Sequence, residues 1–133
     1  MDVRTERDLL GSLEVPAGVR HGIHTARALE NFPLLERPVH GNLVRAFGAV
    51  KLAAVRTNRG LGHIPDAAKA EAMEQACREM LEGTLTEDVR VDALQGGAGT
   101  STNLNVNEVL ANRALELLGE PHGAYERVSP LDD

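Results

Sequence analysis

Between Gln95 and Arg113 the chain reads Gln-Gly-Gly-Ala-Gly-Thr-Ser-Thr-Asn-Leu-Asn-Val-Asn-Glu-Val-Leu-Ala-Asn-Arg. The two halves of this stretch ask for different backbones. Gly96, Gly97 and Gly99 permit a tight turn that a Cβ would block. Thr100, Ser101, Thr102 and Asn103 are all good N-cap types. Val106, Val109, Leu110, Ala114, Leu117 and Leu118 then recur at helical spacing, and Gly119 is placed to stop the helix. The stretch therefore predicts a glycine turn feeding a helix near 103–118. A helix start presents unpaired N–H groups and a partial positive charge. With hydroxyls clustered beside it, such a start can seat a carboxylate or a phosphate. It is not a P-loop, because no Lys follows the last Gly, and the Gly-x-Gly-x-x-Gly dinucleotide fingerprint is missing.

The rest of the chain predicts more helices. Aromatic residues are 2% of the sequence, so a core must come from Leu, Val, Ala and Met, which suits packed helices. Leu43, Phe47, Val50 and Ala54 recur at helical spacing over 42–59, with Val44, Lys51 and Val55 beside them, and Gly60 and Gly62 follow as stops. Pro65 is expected at the first position of a helix over 66–82, with Asp66 in its first turn. Met73, Ala76, Cys77, Met80 and Leu81 form its apolar stripe. A short helix near 25–31 would be capped by Thr25 and stopped by Pro33. Gly11-Ser12 is expected to turn a hairpin between Leu9-Leu10 and Leu13-Val15. Thr86-Glu87-Asp88 can form a single turn, Val89, Val91 and Leu94 read as extended, and the residues beyond Gly119 as irregular. The fold class is mainly α with a short N-terminal β-hairpin, and the 133 residues suit one domain.

Several function classes are excluded. A net charge of −6 argues against nucleic acid or an anionic membrane as partner. No apolar run is long enough to span a bilayer, and the charged N-terminus (Asp2, Arg4, Glu6, Arg7, Asp8) is unlike a signal peptide. A cytoplasmic location is expected. Cys77 is the only cysteine, and its place in an apolar stripe makes it a buried small hydrophobe. His21, His24, His40, His63 and His122 are scattered without completing a metal set, so no metal site is expected. No nucleophile elbow is present.

The wording of the central stretch is more specific than its composition. Gly96-Gly97-Ala98-Gly99-Thr100-Ser101-Thr102-Asn103-Leu104-Asn105, with Asn107-Glu108-Val109 and Ala111-Asn112-Arg113, closely resembles a signature of the aspartase/fumarase superfamily. The N-terminal third adds to the resemblance. Arg4, Glu6, Asp8, Leu10, Gly11, Val15 and Pro16 match one family segment. Gly22, Thr25, Arg27, Glu30, Asn31 and Phe32 match a second, in which His21 replaces the usual Tyr. Within the superfamily, Gly-Gly-Ala-Gly-Thr-Ser and His24-Thr25 resemble the aspartase form. Fumarases tend to have Gly-Ser-Gly-Thr-Gln and Gln-Thr there. Where fumarases carry a His-Pro-Asn-Asp run that forms a second anion site, this chain has Ser129-Pro130-Leu131-Asp132.

The resemblance implies a small N-terminal lyase domain that ends before the family's central helical bundle. It implies chemistry in which a proton leaves Cβ of L-aspartate and ammonia is expelled to give fumarate, with no organic cofactor. By position in the motif, Thr100 is the expected substrate contact, Ser101 a lesser one, and Ala98 and Gly99 let the backbone approach the ligand. Asn103 and Asn105 are expected to shape the turn, and Asn107, Glu108 and Asn112 to be internal hydrogen-bond partners. Family enzymes are homotetramers whose active sites draw residues from three subunits, and their proposed serine base lies on a later loop. No catalytic residue is therefore expected within these 133 residues. The chain alone is expected to be inactive and to self-associate through apolar surface around Val106–Leu118 and Val44–Val55. Two other readings stay open: the N-terminal domain of a fumarate hydratase, and a non-catalytic anion-binding or assembly module.

Overall fold

A computed structural model describes residues 1–133. Two antiparallel strands, β1 (Val3–Asp8) and β2 (Gly11–Pro16), precede four helices: α1 (Ile23–Asn31), α2 (Gly41–Gly60), α3 (Ala67–Glu82) and α4 (Thr100–Leu117). A single 3-10 turn at Thr86–Asp88 lies between α3 and α4, and an isolated bridge pairs Pro38 with Asp92. The mainly helical architecture with an N-terminal hairpin is the one expected.

The hairpin turns two residues earlier than predicted. Asp8 pairs with Gly11, so Leu9 and Leu10 form the turn and Gly11-Ser12 opens β2. Local chemistry decides this. Asp8 Oδ1 accepts the Leu10 amide at 2.9 Å, and Gly11 takes φ +121°, a value that L side chains rarely adopt. Arg27 then grips both Asp8 oxygens, at 2.7 and 2.9 Å. Of the N-terminal charges, Arg4, Glu6 and Asp8 are bound, while Asp2 and Arg7 are exposed. Arg4 donates to Glu6 and to the carbonyls of Pro16, Ala17, Val19 and His21, and so folds the link between β2 and α1 around its guanidinium.

Helix starts also differ from expectation. Thr25 lies inside α1, whose N-cap is Gly22. Asp66 is the N-cap of α3 and accepts the Lys69 amide at 3.1 Å, which places Pro65 outside the helix. At the far end Gly83, at φ +96°, closes α3 in the left-handed region.

The core packs α2 on α3 and α3 on α4. Met73, Ala76, Cys77 and Met80 face it from α3 as expected, but Leu81 is exposed. On α2 the predicted stripe is only partly inward: Phe47 packs against the core from its edge, and Val44 and Val55, predicted beside the stripe, are 0% and 8% exposed, whereas Leu43 is 47% and Val50 66% exposed. Gly48, on the inner face, lets the α2 backbone approach closely; a Cβ there would fall within 2.9 Å of Leu81 Cα. The helix α4 is central. Val106, Val109, Ala114 and Leu115 are completely buried, while Leu117 is exposed. The expectation of bared apolar surface around Val106–Leu118 is therefore wrong for most of α4. In these two helices the exposed large apolar side chains are Leu43 and Val50 of α2 and Leu117 of α4. No helix is long and apolar enough to cross a membrane.

Candidate functional site

The helix α4 begins at Thr100, three residues before the expected start. Its N-cap is Gly99, at φ +85°, after Gly97 at φ +87°. The predicted hydroxyl caps are thus the first residues of the helix and do not cap it. The cap comes from Gln95. Its Oε1 accepts the Thr102 amide at 3.2 Å and the Thr102 hydroxyl at 3.1 Å, and its Nε2 donates to Asp92 O at 2.6 Å. The Asn103 amide is satisfied by Gly99 O at 3.1 Å. The amides of Thr100 and Ser101 are left without an acceptor in the chain. Two N–H donors and the Thr100 and Ser101 side chains therefore stand together at the positive end of an 18-residue helix. Ala98, Gly99 and Thr100 are exposed and Ser101 and Asn103 half-buried, so the predicted contacts share one open surface.

Asn105 plays a different part from the one expected. It is fully buried, and its Oδ1 accepts the amides of Arg90 (2.8 Å) and Val91 (3.2 Å) while Nδ2 donates to Asp88 O. It holds the extended segment that leads to the turn, not its own backbone. The reason is burial: inside α4 its own backbone groups are already paired, so the amide must find partners elsewhere.

That segment is anchored again at Asp92. One carboxylate oxygen accepts the amides of Leu34 (3.1 Å), Leu35 (2.9 Å) and Glu36 (2.8 Å), and the other accepts Leu94 at 2.8 Å. Burial disfavours the charge, but these four amides outweigh it and hold the carboxyl below its ordinary pKa. The loop after α1 and the approach to the glycine turn are thereby one unit. Phe32 lies against Gly96, where an added Cβ would meet its ring at 3.3 Å.

The two family segments meet inside the molecule. Glu108, completely buried on α4, accepts the Thr25 amide at 2.9 Å, the Thr25 hydroxyl at 2.5 Å and the His24 amide at 3.0 Å. Glu6 accepts the Ile23 amide at 2.8 Å and the Tyr125 hydroxyl at 2.9 Å. Two carboxylates thus close on the start of α1, around Gly22, where a Cβ would lie 2.6 Å from Glu6 Oε2. Burial pushes the Glu108 carboxyl above its ordinary pKa, against the pull of the Thr25 and His24 donors. Asn112 completes the cluster by bonding Arg20 O, Tyr125 and the Gly123 amide. Glu108 and Asn112 are internal partners, as expected; no hydrogen bond involves the Asn107 side chain.

None of the three principal cavities is lined by Thr100 or Ser101. A groove of about 720 Å³ runs between Phe32, Arg37, Val39, Arg90 and Asp92. A smaller one of about 240 Å³ lies among Lys51, Cys77, Asn107, Leu110 and Leu131. Burial pushes the Cys77 thiol up to about 11, so it is an inert core group. The helix start is an open surface and not part of a cavity.

Sequence reasoning missed Gln95 and Asp92, because neither side chain belongs to a periodic pattern. A carboxamide just before three glycines and a carboxylate three residues earlier were the only signals available.

Residues 11–130 match the model of a family described as Lyase. The chain belongs to this family. Aspartate ammonia-lyase of Pseudomonas aeruginosa is 48% identical over 132 residues, which is 98% of this chain and 28% of that protein. A class II fumarate hydratase of Halobacterium salinarum is 48% identical over 122 residues, 92% of this chain and 26% of that protein. The crystal structure of a fumarate lyase:delta crystallin from Brucella melitensis superposes with a TM-score of 0.96 at 46% identity, over 99% of this chain and 31% of that one. The fold is therefore that of an N-terminal domain of the aspartase/fumarase superfamily. The chain spans less than a third of the length of the curated relatives it matches.

Proposed function

We propose that this chain is the carboxylate-seating part of an aspartate ammonia-lyase, and that the longer polypeptide carrying it converts L-aspartate to fumarate and ammonia. The free donors at the start of α4, held open by a cap from outside the helix, carry the reading. The 48% identity to an aspartate ammonia-lyase supports it. In the elimination a proton leaves Cβ and the electron pair moves onto the β-carboxyl group as an aci-carboxylate, before the Cα–N bond breaks. Donors aimed in advance at that developing charge lower the barrier. Thr100, with Ser101 and the backbone of Ala98 and Gly99, fills that role here. Fumarate hydratase is the second reading, supported by the Halobacterium salinarum relative, also 48% identical but over a shorter span; it would use the same donors on the same type of intermediate.

The site needs a base and enclosing walls from beyond these elements, supplied in a homotetramer. The 133 residues alone are therefore inactive and associate through the outer stripe of α2. The gene read past the codon for Asp133 and the assay of its full product test the proposal. Ammonia release from aspartate is expected; activity on malate alone would transfer the assignment to the hydratase. In that protein Thr100→Val removes one hydroxyl donor at constant shape, and turnover should fall about a hundredfold to a thousandfold. Near-normal turnover would end the carboxylate-seat reading.

A further inference from the structure

An ordinary helix is capped by the N-cap residue itself, whose side-chain oxygen bonds the amide of the third helical residue. In α4 the N-cap is a glycine with no side chain to offer, and the third residue is Thr102. Gln95, seven positions upstream of Thr102, supplies the missing oxygen through space. The remote cap satisfies Thr102 and leaves the helix mouth empty, with no protein side chain competing for the amides of Thr100 and Ser101. Gln95 is in turn held by Asp92 O, and the Asp92 carboxylate is held by four amides from two segments.

We infer that Gln95 is a positioning residue for the substrate carboxylate, an assignment that rests on the proposed function. It orders the start of α4 from outside, so that the donors are fixed before the ligand arrives. A neutral carboxamide is needed for this. It must accept from Thr102 and donate to Asp92 O at once, and a carboxylate could do only the first. A negative group here would also compete with the ligand for the same helix end.

The test uses the 133-residue chain labelled with ¹⁵N, fumarate as the probe, and two variants, Gln95→Ala and Gln95→Glu. Backbone order and amide exchange over Thr100–Asn103 report positioning, and the fumarate-dependent shifts of Thr100 and Ser101 report the seat. Gln95→Ala should speed exchange at Thr102 at least tenfold, lower the order of residues 100–102 and leave Val106–Leu115 unchanged. Gln95→Glu should restore slow exchange at Thr102 yet weaken the fumarate response at least tenfold. A purely structural cap would not separate these two readouts.

Unchanged exchange and order at Thr102 in Gln95→Ala would overturn the assignment. So would a fumarate response in Gln95→Glu equal to that of the wild type. If wild-type Thr100 and Ser101 ignore fumarate while Gln95→Ala still loosens the turn, the carboxylate seat falls and the ordering role stands. If the wild type and Gln95→Ala respond to fumarate alike, the seat stands and the role of Gln95 falls.

Discussion

The helices α2 and α4 are of similar length and opposite design. Along α4 the buried set includes Thr102, Asn105, Glu108 and Asn112 beside its apolar residues. Each of these four polar side chains meets partners from another part of the chain, some of them far away in sequence. Along α2 the buried set is Val44, Gly48, Leu52 and Val55, while Leu43 and Val50 lie open. So α4 spends its interior on polar bonds that join distant segments, and α2 leaves apolar side chains outside. A buried polar group is tolerable only when its partners are complete, and then it specifies one arrangement. An apolar face has no such demand. The contrast separates a helix that organises the site from one that mainly fills the core.

Removing a polar hub of α4 is the strongest way to break this contrast. Glu108→Ala leaves the amides of His24 and Thr25 and the Thr25 hydroxyl without their acceptor. Each buried donor left unpaired costs about 1–3 kcal/mol, so a loss of about 3–5 kcal/mol is expected from urea unfolding. A loss below about 1 kcal/mol would show that water replaces the carboxylate and that the hub is dispensable.

A smaller effect is expected on the α2 side. Gly48→Ala drives a methyl group into the backbone of Met80 and Leu81, which cannot swing aside as a side chain can. Overpacking of this kind costs about 1–3 kcal/mol. Gly60→Ala is the matched control, because nothing lies within 4 Å of its added Cβ. Equal thermal midpoints for the two variants would mean that α2 slides freely on α3.

The smallest effect sharpens the comparison at the far end of α4. Glu116 accepts from Arg20 at 2.9 Å and Arg113 at 2.6 Å, and bonds His122 at 2.7 Å. Burial alone would raise its pKa, but bonds to Arg20, Arg113 and His122 outweigh burial and bring it down to about 2. A lowered carboxyl pKa adds stability above the unfolded value of about 4.3, and that stability is lost as pH falls through the folded value. Glu116→Gln should therefore cost about 1 kcal/mol at pH 7, in line with a partly exposed ion network. The gap to the wild type should begin to close near pH 4 and nearly vanish at and below about pH 2. A gap independent of pH in denaturant titrations would assign the cost to packing instead of charge.

How much could be read beforehand varied with the range of the interaction. The stripe of α3 was legible because Met73, Ala76, Cys77 and Met80 are its apolar inner row and little competes with them on the outer face. On α2 the same reasoning centred the stripe too far outward, on Leu43 and Val50, with the buried Val44 and Val55 only beside it. Leu43, Phe47, Val50 and Ala54 have the right period, and so does the inner row of Val44, Gly48, Leu52 and Val55. Period alone does not rank two apolar rows, and the inner one is marked by a glycine, which hydrophobicity undervalues. The hairpin was legible as a hairpin but with its turn two residues too late, because Asp8 closes the turn with a side chain. At the candidate site the glycine turn and the helix behind it were legible in the sequence, and the capping was misread. Thr100, Ser101 and Thr102 are good caps, yet Gly99 with Gln95 does the work.

The sequence by itself determined the elements that depend on neighbours within a few residues: the periodic helices, their glycine stops, the hydroxyl-rich start of α4 and the signature of the lyase family. Tertiary structure alone decided which face of α2 is buried, which side chain caps α4, and which donors meet Glu108, Asp92 and Asn105. These depend on groups placed side by side in space by separate segments, such as Thr25 and Glu108, which are 83 positions apart. Helix periodicity is a property of one local backbone and leaves its trace in the order of residues. A through-space hydrogen bond depends on two local backbones and their relative placement, and no stretch of the chain read alone contains that placement.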